Sequence, residues 1–278
     1  MKSYPPLPRL ADAPEELLAS GHLWLREDVT GPRIRFQMTS AGLLVFGDRE
    51  HRFDDIPPAY RYAVRYVRDR FDRDAFGDAV SEPTDFVFFG VAPCNLGLDY
   101  DWARLPPFLG HAVWTDEQDR LLPVDTAEQV FERLGLDPVN TVEKEVNVRD
   151  FHPGRYEIPD SAWGNGPAAG VIVENRRGGR ALLRNPAFDD RDSPGPIRDD
   201  PASVADRLVT SDRIERAVGE VESAGNPVTT EAVRTRVFEM VAREEYIRLD
   251  AAGVDWDGLR SAVGSVVGAA LGRRGVDR

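Results

Sequence analysis

Residues 189–203, reading DDRDSPGPIRDDPAS, hold almost no large apolar side chains and split the chain into two differently patterned parts. Such a polar, Pro-containing stretch cannot bury a face, so it reads as a boundary between structural units. It predicts two domains, 1–190 and 191–278, which also suits a length of 278 residues.

Before the boundary, short apolar runs alternate with turn residues. His22 to Glu27 and Arg33 to Thr39 read as strands. In the second, Ile34, Phe36 and Met38 alternate with Arg33, Arg35 and Gln37, the period of a half-buried strand. Ser40-Ala41-Gly42 forms a turn, and Leu43 to Phe46 returns. From Pro57, Tyr60, Ala63, Val64, Val67 and Phe71 recur at helical spacing, with Arg61, Arg65, Arg68 and Arg70 on the other face. Phe86 to Val91 reads as a buried strand and Phe108 to Trp114 as another. Asp125 with Glu128 predicts a capping box, and Gly135 ends that helix. Ala169 to Glu174 and Arg180 to Arg184 predict a hairpin around Arg177-Gly178-Gly179.

Beyond the boundary the pattern is helical throughout. One stripe is Ile214, Ala217, Val218 and Val221, stopped by Gly225-Asn226-Pro227. A second is Val233, Val237, Met240 and Val241, and a third is Leu259, Val263, Val266, Val267 and Leu271. The fold class expected is therefore α+β followed by a small all-helical C-terminal part.

Several classes are excluded by composition. With 41% hydrophobic residues the chain can bury a core, yet no apolar run reaches the length of a membrane span. The N-terminus has no apolar stretch behind Lys2, so no secretion signal is expected, and lone Cys94 suits a reducing cytoplasm. The net charge is −13, with only Lys2 and Lys144 among 35 basic residues and with Asp outnumbering Glu. Acids spread along an Lys-poor chain suggest a surface adapted to high salt. That acidity does not exclude a nucleic-acid partner, because a local arginine patch suffices for phosphate.

Generic motifs are missing. His22, His51, His111 and His152 share no ligand spacing with one another or with Cys94, so no metal site is expected. There is no GxSxG, GxGxxG or Walker loop. Asp99 and Asp101 alternate as two carboxylates on one strand face would, but an acidic loop in an acidic chain is the simpler reading. Tyr100, Trp102 and Trp114 read as core or cleft wall.

The strand–turn–strand meander, the Phe88-Phe89-Gly90 strand and the late hairpin, in that order, resemble the ATP-dependent RNA ligase family within the covalent nucleotidyltransferases. The resemblance covers roughly 20 to 190 and fits a divergent haloarchaeal type with degenerate motifs; the helical tail resembles an appended domain. It implies a ligase-like nucleotidyltransferase domain of antiparallel sheets flanked by helices. Family members use a lysine to attack the α-phosphate of ATP. They then pass AMP to an RNA 5′-phosphate, which a 3′-hydroxyl joins. The nucleophile must be a neutral amine, so its pKa has to be lowered.

Residues 25–36 follow the nucleophile motif in spacing, with Glu27 ahead of it and Gly31 at its glycine. However, Asp28 stands in the lysine's place, Thr30 in that of the motif's Asp, and Arg33 where Asn is common. The resemblance implies that Arg49 lies near the nucleotide and that Phe89 stacks on adenine. It also places Val91 and Ala169 where glutamates are expected, keeps Gly170, and puts Leu182 and Arg184 at two lysine positions. Arg33, Arg35, Arg49, Arg176, Arg177, Arg180 and Arg184 are expected to converge on one groove and grip phosphate.

An aspartate cannot form the phosphoramidate, and its charge about 4 Å from a phosphate costs about 4 kcal/mol in an intermediate dielectric. Three readings follow. The first is a ligase-fold protein without lysyl-adenylate chemistry that binds RNA ends, a nucleotide or a protein partner. The second is an active ATP-dependent RNA ligase, the one reading that implies ATP and Mg2+. The third is an interaction module whose cleft is filled, with Val91, Ala169 and Leu182 making it apolar.

Overall fold

The computed structural model describes residues 1–188 and 195–274. The chain builds β1 (His22–Glu27), β2 (Arg33–Met38), β3 (Leu44–Gly47), α1 (Pro58–Arg70), α2 (Arg73–Ala79), β4 (Phe86–Val91), β5 (Leu109–Thr115) and β6 (Arg120–Leu121). Then come α3 (Val124–Arg133), β7 (Thr141–Asn147), β8 (Gly170–Asn175) and β9 (Arg180–Arg184). The C-terminal helices are α4 (Pro201–Leu208), α5 (Ser211–Ser223), α6 (Thr230–Asp250) and α7 (Trp256–Arg274). The expected domain boundary at 190/191 lies outside the described residues.

Two antiparallel sheets face each other. The first has strand order β7-β1-β8-β9 and the second β3-β2-β4-β5-β6. The period-two alternation of β2 assigns its faces. Ile34, Phe36 and Met38 join the core under α1, α2 and α3, where Phe36 stacks on Phe88 at 4.7 Å. Arg33, Arg35, Val87 and Phe89 face the other way, toward the first sheet. In that sheet Leu23, Leu25, Val171 and Val173 pack outward against Leu17 and Phe151. Trp24, Arg26, Ile172, Glu174 and Arg180 consequently face the second sheet, and a cleft lies between.

The helix after Pro57 does two jobs. Its Ala63, Val64 and Val67 close the core over the second sheet, while Tyr62 joins the cluster of the C-terminal helices. Polar contacts reinforce this seam: Tyr62 Oη donates to Glu220 at 2.5 Å, Arg236 pairs with Asp69 at 3.1 Å, and Arg65 pairs with Glu239. The helix stripes after the boundary all enter one buried cluster that includes Val237, Val263 and Leu271. Among the described residues no helix is long and apolar enough to cross a membrane.

Two local expectations are corrected. The helix near Asp125 has no capping box, because it begins at Val124 behind Pro123. Asp125 instead accepts from Trp24 Nε1 at 3.0 Å, and Glu128 turns inward to Thr141 and Lys144. Strand β7 was not foreseen, since Glu143, Lys144 and Glu145 give its exposed surface no apolar alternation.

Candidate functional site

The cleft is built from strand faces, so its side chains are held by backbone ladders. β1 continues its alternation past its end and brings Asp28 to the same face as Trp24 and Arg26. Asp28 N–H is fixed by Gly170 O at 3.0 Å. Its carboxylate accepts from Arg33 at 3.1 Å, and the other arm of Arg33 donates to His111 Nε2 at 2.6 Å. Arg26, 1% exposed, donates to His111 O at 2.6 Å and to Glu174 at 2.9 Å. Asp28, Arg33, His111, Arg26 and Glu174 thus form one connected polar chain across the cleft.

His111 enters this chain through a register break. β4 pairs Phe89 with Ala112 but Gly90 with Gly110, so His111 is the extra residue of a bulge. A bulge re-aims its side chain, here between two sheets. Burial holds the imidazole well below its ordinary pKa, helped by Arg33, Arg26 and Arg180. The ring is therefore neutral, and Nε2 can accept from Arg33.

A pH dependence follows with a definite sign. An unfolded histidine takes its proton near pH 6.5, whereas the folded one takes it only at much lower pH. Stability owed to neutral His111 is therefore complete above about pH 6.5 and lost below it, at up to about 1.4 kcal/mol per pH unit. Urea unfolding should show the stability gap between wild type and His111→Gln shifting against wild type by about 1 kcal/mol from about pH 7.5 to pH 5.5. A gap independent of pH would mean that the folded imidazole takes its proton as readily as the unfolded one.

The chain's own first residues occupy the mouth of the cleft. Arg35 donates to Lys2 O at 2.6 Å and Met1 O at 3.2 Å. Tyr4 lies between the sheets, its ring 4.7 Å from that of Phe89 and 4.2 Å from the Arg180 guanidinium. Arg180 also donates to Tyr4 Oη at 2.8 Å and to Pro5 O at 2.9 Å. Tyr4 N–H reaches Arg49 O, and Leu182 N–H reaches Pro8 O. Phe89 is left with 0% exposure, beside Val87, Ala112 and Trp114. The space remaining among Arg26, His111 and Glu174 is about 20 Å³, the room of one water molecule.

The other end of the cleft is apolar. Val29, Val91 and Ala169 pack in one cluster with Leu98, Tyr100, Leu109 and Val139. Thr30 lies at its edge, its hydroxyl donating to Cys94 O at 3.2 Å and its N–H to Tyr100 Oη at 3.1 Å. Tyr100 and Trp114 are buried and Trp102 half-buried. Asp99 and Asp101 lie in a loop, where Asp101 caps Ala103 N–H at 3.1 Å.

Seven arginines were expected to share one groove; Arg33, Arg35 and Arg180 do. Arg49 and Arg184 are exposed at the rim, and Arg184 donates to Phe188 O at 3.5 Å. Arg176 and Arg177 sit on the β8–β9 turn, where Arg176 pairs with Glu145 at 2.5 Å. Leu182 is half-buried, and Gly170 pairs with Arg184 at the start of the hairpin. Glu27 faces away from the cleft, accepting from Ser161 at 2.5 Å and Ala162 N–H at 3.1 Å, with burial pushing its carboxyl pKa up. Arg26, His111, Glu174 and Tyr4 were not singled out in the sequence. The available signal was a pair of charges, Arg26 and Glu174, at inward positions of two largely apolar strands.

This architecture has solved counterparts. The RNA ligase of Naegleria gruberi, solved with PPi, aligns with a TM-score of 0.52 and 11% identity over 68% of this chain. An archaeal ATP-dependent RNA ligase aligns with a TM-score of 0.51 and 15% identity over 90% of it. The fold is that of the RNA-ligase-type nucleotidyltransferases. No family model and no curated protein matches the sequence. The chain spans 59% of the Naegleria ligase and 65% of the archaeal one.

Within the ligase fold, the cleft residues do not fit a nucleoside triphosphate with a divalent cation. Val91 and Ala169 offer no carboxylate, and among the described residues no three His, Cys, Asp or Glu side chains gather as metal ligands. Terminal nitrogens of Arg26, Arg33, Arg35 and Arg180 already donate to partners from this chain, and among their buried nitrogens only Nε of Arg26 and of Arg35 is left without one.

Proposed function

We propose that this protein is a ligase-fold binding protein that does not adenylylate itself and that binds RNA. One observation carries the reading: Asp28, which the motif resemblance aligns with the attacking lysine, is tied to Arg33 in a cleft filled by residues 1–8. A phosphoramidate needs a neutral amine, and neither lysine supplies one there. Lys144 hydrogen-bonds Glu128 at 2.7 Å, which raises its pKa and keeps it protonated. Lys2 lies over the Trp114 ring at 4.0 Å and pairs with Asp119 at 3.3 Å. The apolar cluster of Val29, Val91 and Ala169 favours a filled cleft over a retained nucleotide site, since phosphate and ribose groups would be buried there without partners.

The test is incubation with α-labelled ATP and Mg2+ or Mn2+, followed by denaturing electrophoresis. No labelled band is expected from the wild type. None is expected from Asp28→Lys either, because restoring the amine empties neither the cleft mouth nor the apolar end. A labelled wild-type band would overturn the reading. A band from Asp28→Lys alone would show that the cleft still admits ATP and would remove the filled-cleft argument.

A further inference from the structure

The second sheet has another face, and a different surface lies beyond it. Two grooves flank the line along which α1 packs on α6, one of about 800 Å³ and one of about 330 Å³, with Asp69 common to both. They lie on the α1 side of the sheet, whereas the cleft lies on the Phe89 side. Nine arginines line the two grooves against four carboxylates, in a chain whose net charge is −13. This local reversal of sign is not background charge.

Six of these arginines fall into two groups. Those on the floor are neutralised: Arg236 by Asp69, Arg65 by Glu239 and Arg216 by Glu244. Arg68, Arg70 and Arg104 stand exposed on the walls, and among the described residues none has a carboxylate within ion-pair distance. Arg70 lies over the Tyr66 ring at 4.7 Å, and Trp102 is half-buried on the same groove. Guanidinium forks above aromatic faces suit a ligand that alternates phosphates with flat rings.

We propose that the α1–α6 seam binds single-stranded RNA, with Arg68, Arg70 and Arg104 on phosphates and Trp102 and Tyr66 against bases. The inference rests on the reading that the protein binds RNA without adenylylating itself, and it locates that contact away from the cleft. A groove on each side of α1 favours an extended strand over a single nucleotide. Phosphate contacts of this kind give affinity with little sequence choice.

The experiment is a fluorescence-anisotropy titration of the full chain with a labelled oligouridylate of about 12 nucleotides, a length that covers one such site. It is run at several salt concentrations on wild type and on the triple variant Arg68→Gln, Arg70→Gln, Arg104→Gln. The triple variant should bind about tenfold or more weakly, and its slope of log affinity against log salt should be shallower by about 2. A charge-matched control, Arg120→Gln, Arg149→Gln, Arg155→Gln, should match wild type. Because the three seam arginines are exposed, thermal midpoints should agree among all three proteins.

Equal binding by wild type and the seam variant overturns the proposal, as does the absence of wild-type binding at low salt. Equal affinity for a polyglutamate peptide overturns the assignment to RNA. These results are separable from the adenylylation assay: a labelled band removes the non-adenylylating reading, RNA binding that the seam variant leaves unchanged removes the seam alone, and no RNA binding at all removes the RNA part of both readings.

Discussion

The Gly31→Ala variant should lose about 3 kcal/mol of stability or more, through backbone strain combined with overpacking. A Cβ at Gly31 would stand 2.2 Å from Ala92 O and 2.9 Å from both Ala92 C and Pro93 Cα. All three are backbone atoms, held by the Ala92 N–H bond to Pro32 O and by Cys94 N–H to Thr30 O. Neither side can yield cheaply, and the φ of +156° adds its own resistance to a side chain. Gly42→Ala is the control: its φ is +75° but nothing lies within 4 Å, so only about 1 kcal/mol of conformational cost is expected. Urea midpoints of both variants against wild type measure the difference. A Gly31→Ala loss no larger than that of Gly42→Ala would refute the steric argument. The glycine that the resemblance places in the nucleophile motif therefore has a packing reason to persist without the lysine.

The second large effect is expected at Arg243. This side chain, 3% exposed, reaches from α6 into the loop between β4 and β5 and donates to Pro93 O at 3.2 Å, Leu105 O at 2.8 Å and Pro106 O at 2.9 Å. Its guanidinium also faces the rings of Tyr62 and Trp102 at 5.5 and 5.0 Å. Burial pulls its pKa down to about 10, so it remains charged at neutral pH. Arg243→Met leaves three carbonyl groups without their donor and should cost about 3–5 kcal/mol. Arg243→Lys should recover little, because one ammonium cannot copy a fork aimed at three oxygens. The check is urea unfolding followed by tryptophan fluorescence and by far-UV dichroism. Early loosening of Trp102 in the methionine variant is the expected signature, and a variant within about 1 kcal/mol of wild type would refute the role, since ordinary surface changes fall in that range.

Sequence patterns were informative where a single periodicity decides the outcome. The alternation of β2 separated the core residues Ile34 and Phe36 from the cleft residues Arg33 and Arg35, and the structure uses both faces that way. The stripes of α5, α6 and α7 likewise named residues that meet in one cluster, all but Val221. Three features were hidden for physical reasons. β7 is exposed and charged, so it has no apolar rhythm, and it is held by pairing with β1. His111 reaches the cleft only because of a register break between β4 and β5, which no local pattern announces. The Pro-rich opening reads as a lead-in because its partners, Arg35, Phe89 and Arg180, are far away in sequence. Motif spacing located Asp28 and Thr30, but their use in packing depends on His111, Cys94 and Tyr100 from distant strands.

The bond between Arg180 and Tyr4 joins positions 176 residues apart. During synthesis, a nascent chain that has not yet reached β9 has Tyr4 and Phe89 but no guanidinium to hold the ring between the sheets. The aromatic wall therefore stays open to water at least until β9 is made, and contacts of such long range form slowly. Ribosome-bound intermediates truncated before Arg180 should accordingly engage chaperones more than those extended past β9.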